Sequence, residues 1–189
     1  MARDLTKRIG YGQVEPNHLS GIVTGQIYAQ LPAHVKGKEE GSADSITQLE
    51  QGQFAKYDYA AGEVNFTGDG EWMLVYNEEK LYDERFQSHK DFVYKTEDFS
   101  DGKMYPRLIK TNIGDIFTTN TFAEGTGPNI PVTQTFPTKG QKLHVGANGF
   151  LTVGDGDGDA PVFKVVKDNA TDHYTMPDGT PGVKIQRIK

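Results

Sequence analysis

Residues 46–75, ITQLEQGQFAKYDYAAGEVNFTGDGEWMLV, constrain this chain more than any other segment. Phe54, Tyr57, Tyr59, Val64 and Phe66 are strand formers. Ala60-Ala61-Gly62 interrupts them with a small turn, and Gly68-Asp69-Gly70 opens a second apolar run. Short strands broken by turn residues are the pattern of an antiparallel meander. Trp72, Leu74 and Tyr76 alternate with Met73 and Val75, and both sets are apolar. Such a strand is expected to be covered on both faces.

The rest of the chain has the same character. Phe92 to Lys95, Arg107 to Ile109, Asp115 to Thr121, Lys142 to Val145, Phe150 to Val153, Val162 to Val166 and Val183 to Ile188 read as strands. Asn148-Gly149 between alternating apolar residues is a strong short-range hairpin signal. Only 77–86, NEEKLYDERF, reads as a helix, with Asn77 as its cap. The expected fold is all-β, a barrel or sandwich of mainly antiparallel strands, with an extended N-terminal arm and at most one short helix. The expected divisions are an arm over 1–36, a β-rich body with an acidic insertion over 37–131, and a small barrel-like lobe over 132–189. Within the arm only 21–31, GIVTGQIYAQL, has strand character. At 189 residues with 10 Phe and 9 Tyr, a sizeable core is possible without staples.

Charge is uneven. Residues 1–36 hold four Lys/Arg against two Asp/Glu, 37–101 hold six against sixteen, and 102–189 hold ten against eight; +2, −10 and +2 recover the net −6. An acidic middle argues against nucleic-acid binding, which needs basic stripes to neutralise phosphate. With no cysteine, disulfides, thiolate metal sites and Cys nucleophiles are excluded. The opening MARDLTKRIGYG lacks the apolar core of a signal peptide, and no run approaches the ~20 apolar residues that span a bilayer.

Reactive constellations are not legible. Gly-x-Ser-x-Gly is absent, and the five His are scattered without a metal-binding spacing. Residues 154–159, GDGDGD, follow a strand as a phosphate loop would, but three Asp repel phosphate and Pro161 blocks a following helix. Asp155, Asp157 and Asp159 at alternate positions suit calcium better. The pattern departs from the EF-hand at Ala160 and Val166, so an acidic hairpin tip is the first reading and a calcium loop the second.

The Gly- and Pro-punctuated arm, LEQGQFAKYDYAAGEVNF at 49–66, GDIFTTNTF at 114–122, KLHVGANGFLTV at 142–153 and MPDGTPGVKIQRI at 176–188 together resemble the capsid decoration (cement, or head-stabilising) proteins of tailed bacteriophages. The acidic stretch 67–105 has no counterpart in the small members. The resemblance implies a non-enzymatic virion protein without a cofactor. It would be made in the host cytoplasm and bound to the major capsid protein on the capsid exterior. Such proteins commonly bind as trimers or as monomers at local symmetry points, so the expectation is a homo-oligomer, with a trimer possible, and no contact with nucleic acid or membrane. Leu5, Ile9, Tyr11, Val14, Leu19 and Ile22 are then the expected arm anchors along neighbouring subunits. The competing readings are a phage tail or baseplate component, or a carbohydrate-binding adhesin that would use exposed Tyr or Trp72. A hydrolase on a β scaffold is a third.

Overall fold

The structure is a computed structural model that describes residues 12–23, 27–28, 31–33, 46, 48–76, 93–95, 104–122, 136–156, 158–176 and 179–189. Within them the architecture is all-β and mainly antiparallel. In chain order the elements are β1 (Val14–His18), α1 (Ser20–Val23), β2 (Ile27–Tyr28), β3 (Gln48–Glu50), β4 (Phe54–Asp58), β5 (Glu63–Asn65) and β6 (Trp72–Val75). Then come β7 (Val93–Lys95), β8 (Leu108–Ile109), β9 (Ile116–Thr119), β10 (Lys142–Val145), β11 (Leu151–Val153), β12 (Val162–Lys167), α2 (Asn169–Asp172) and β13 (Val183–Arg187). Helix is confined here to the two single turns; the expected helix over 77–86 lies outside the described residues.

Six strands form one sheet in the order β1-β9-β13-β12-β10-β11, and five form another in the order β2-β8-β6-β4-β5; β3 pairs with β7 alone. The larger sheet curls. Phe122, three residues past β9, bridges in parallel to Leu151 at the opposite edge, so the strands from β9 round to β11 enclose their own interior.

Two clusters of buried side chains account for the stacking. The first joins both sheets through Phe54, Leu74, Tyr76 and Ile109 on one side and Phe117, Leu143, Phe163, Val165 and Ile185 on the other. The rings of Phe54, Phe117 and Phe163 sit 5.5–6.4 Å apart in tilted and edge-on arrangements that suit aromatic quadrupoles. The second cluster lies on the far face of the five-stranded sheet, where Ala33, Ile46, Leu49 and Met104 pack with Ala55, Tyr57, Val64, Met73, Val75 and Leu108. The alternation in β6 is therefore explained: Leu74 and Tyr76 face one cluster, Met73 and Val75 the other.

The expected divisions at 36/37 and 131/132 do not separate cores. The six-stranded sheet takes β1 from the first segment, β9 from the second and four strands from the third. The segment 21–31 also differs from its reading as one strand. It begins in α1, whose first residue Ser20 is held by the distant carboxylate of Asp115, and among its described residues strand pairing is confined to β2.

Edges are guarded. β1 is an end strand carrying Pro16, which has no N–H to offer, and its register shifts between Pro16 and His18. The outer edge of β5 is met by 32–33, with Val64 N donating to Pro32 O at 2.8 Å.

Candidate functional site

The N-terminal end of the described chain is fastened into a polar seam. Gly12 N donates to Glu50 Oε2 at 2.7 Å, and Gln13 N to Asn120 Oδ1 at 2.7 Å. Thr119 Oγ1 donates to Gln13 O at 2.8 Å, and Thr121 Oγ1 to Gln51 O at 2.7 Å. Gln53 closes the seam, accepting from Glu50 N at 2.9 Å and donating to Asn148 O at 2.8 Å. Glu50, Gln53, Thr119, Asn120 and Thr121 are all buried. A buried polar group costs stability unless it is hydrogen-bonded, so the seam tolerates little displacement. Gly12 is obligatory: a Cβ there would strike Thr121 Oγ1 and come within 2.8 Å of Gln51 O and Glu50 Oε2.

Two more buried carboxylates hold chain segments together. Asp115 accepts from Ser20 N (3.0 Å), Ser20 Oγ (2.8 Å) and Asn112 N (2.8 Å). This ties the start of α1 to the loop before β9. Asp168 caps α2 and spans to the turn before β10, accepting from Thr171 N at 2.6 Å and Lys139 N at 2.7 Å. The Lys139 amide, then the Thr171 amide, hold its carboxyl below the usual 3.8. Beside Asp115, whose backbone carbonyl accepts from Arg187 N at 2.9 Å, the half-buried Arg187 side chain donates to Thr111 O and Thr111 Oγ1, and burial pushes its guanidinium below the usual value.

Of the expected arm anchors, Leu5, Ile9 and Tyr11 lie outside the described residues. Val14 and Leu19 are a correction. They are 6% and 3% exposed and belong to the core shared by both sheets, so they anchor the segment to its own body. Ile22 lies in α1. Of the acidic residues, Asp157 lies outside the described set, while Asp155 and Asp159 are exposed, and Asp155 pairs with Lys142 at 2.7 Å. No group of three or more His, Asp or Glu side chains placed to hold a metal ion occurs among the described residues. The loop folds onto His144, whose Nδ1 is buried without a hydrogen-bond partner there.

The outward aromatics are unevenly available. Tyr59 is 66% exposed at the β4–β5 tip, beside Asp58, Glu63 and Asp69, and Tyr105 is 42% exposed. Trp72 packs partly against the core, and Lys56 Nζ lies 5.1 Å from its ring centroid, so that ring is partly occupied. No helix among the described residues is long and apolar enough to cross a membrane. The polar seam was not legible beforehand. Its only local signal is the Thr-Thr-Asn-Thr run at 118–121, residue types that readily bond to backbone. No protein family, curated protein or solved structure matches the chain.

Proposed function

We propose that this chain is a non-enzymatic structural protein of a tailed-phage virion that binds the outer surface of the capsid and stabilises it. The observation that carries the reading is the fastening of residues 12–19. The seam and β1 grip this segment, which fixes Gly12, the residue that follows 1–11 in the chain. Those eleven residues hold three Lys/Arg against one Asp, and they include Leu5, Ile9 and Tyr11. A short basic segment with spaced apolar residues suits a groove between neighbouring subunits, where backbone pairing and apolar contacts add together. The buried carboxylates serve the same scaffold role, since each organises backbone donors. A protein that binds the assembled shell more tightly than free subunits stabilises the shell by linkage.

The test is a pair of deletions. Removing residues 1–11 leaves the unfolding transition in place and abolishes binding to shells. Removing residues 1–20 also takes β1, Val14 and Leu19. Burial at about 1.5–3 kcal/mol per large apolar side chain makes that deletion destabilising by several kcal/mol. A protein lacking 1–11 that still decorates shells would overturn the reading.

A further inference from the structure

Strand register brings four lysines that are scattered in sequence onto one outer face of the six-stranded sheet. Lys142 stands directly opposite Lys164, and Lys167 directly opposite Lys184. The second pairing exists because the register shifts between Val165 and Lys167. Like charges facing each other across strands destabilise a sheet. Relief within the chain is partial. Lys142 reaches Asp155, an exposed pair that water weakens. Lys167 and Lys184 lie 5.8 and 5.1 Å from the ring centroid of Tyr174, whose hydroxyl is hydrogen-bonded to Thr118 Oγ1. Lys164 is exposed and has no ion pair among the described residues.

The β4–β5 tip is the complement. Asp58 and its cross-strand partner Glu63 stand at the base of the tip that carries Tyr59, the most exposed of the described aromatics, and Asp69 reaches the Tyr59 amide. Asp69 Oδ1 accepts from Tyr59 N at 3.3 Å and Asp58 Oδ1 from Ala61 N at 2.9 Å, so the carboxylates are held at the tip. The tip lies within the stretch 37–101, of net charge −10, and the lysines lie beyond it. The lysine positions point away from the shared core, and hence away from the sheet that carries the tip.

We propose that the lysine face is a docking surface for a second copy of this chain, which enters it with its acidic β4–β5 tip. The contact joins two different patches, so it is head-to-tail and either closes into a ring or runs on. Nucleic acid is the weaker occupant. Single strands need open aromatic faces for stacking, and the Tyr174 ring is already taken by two lysines. The inference does not depend on the capsid reading, because it is tested on the purified protein alone.

The experiment is analytical ultracentrifugation of the full chain at about 50 mM and about 500 mM salt, where screening differs several-fold. The wild type associates at low salt and weakens at high salt. Lys164→Glu with Lys167→Glu, and separately Glu63→Lys with Asp69→Lys, each weaken association about tenfold or more. Mixing the two variants restores it, because both contacts in the mixture are again between opposite charges; this also shows that neither variant has simply unfolded. Three results overturn the proposal: a wild type that is monomeric throughout at low salt, association indifferent to both variants, or a lysine variant that loses binding to a DNA duplex while still associating normally.

Discussion

Gly149 sits where the two sheets touch, and replacing it with Ala separates two physical costs. Its φ is +79, in the left-handed region where a side chain costs about 1 kcal/mol or more. A Cβ there would also collide with Phe54 O and come within 3.0 Å of the Phe66 ring. The backbone would have to withdraw, weakening the 2.7 Å bond from Phe54 N to Gly149 O that joins β4 to the β10–β11 hairpin. That adds about 1 kcal/mol for the bond and about 1–3 kcal/mol for overpacking. The expected loss is about 4 kcal/mol. Gly140 is the control: its φ is +89, but nothing lies within 4 Å of a Cβ there, so Gly140→Ala should cost about 1 kcal/mol. Urea unfolding distinguishes them. With a slope of about 3 kcal/mol per molar, the midpoint falls by about 1.3 M for Gly149→Ala and about 0.3 M for Gly140→Ala. Equal shifts would refute the claim that close approach at Gly149 holds the sheets together.

Asp168→Asn leaves one oxygen where two accept backbone N–H groups, and should cost about 1.5 kcal/mol at neutral pH. Because the native carboxyl is held below its usual 3.8, its stabilisation is present above about pH 4 and is lost as pH falls through the folded value. The gap between wild type and Asp168→Asn in thermal melts should therefore close in acid; a gap constant with pH would contradict this. Asp115→Ala removes three accepted bonds from a buried site and should cost about 3 kcal/mol in chemical denaturation. Hydrogen exchange should then speed up around Ser20 and Asn112, and unchanged protection there would argue against the tie.

What was legible in the sequence was local. Ala60-Ala61-Gly62 forms the β4–β5 turn, with Gly62 at φ +69 donating to Asp58 O. The hairpin at 146–149 forms through Gly146 and Gly149. Turn chemistry acts over a few residues, so it survives without tertiary knowledge. The two-faced apolar pattern of β6 was legible for the same reason. Partner choice between strands was not. β1 lies beside β9 about 100 residues away, and β13 inserts between β9 and β12, neither of which any local pattern encodes. Val14 and Leu19 look the same in sequence whether they bury into their own body or into a neighbour. The Lys167–Lys184 pairing depends on a register shift of one residue, and the acidic loop that suggested calcium supplies Asp155 to Lys142.

The account rests on noncovalent docking to an assembled shell. Its most direct test is co-sedimentation of the purified chain with assembled phage shells and, in parallel, with unassembled subunits of the same major capsid protein. The account predicts at least about tenfold tighter binding to shells, with shells that resist heat better as the chain saturates them. Equal affinity for shells and subunits, or no binding to either, would contradict it.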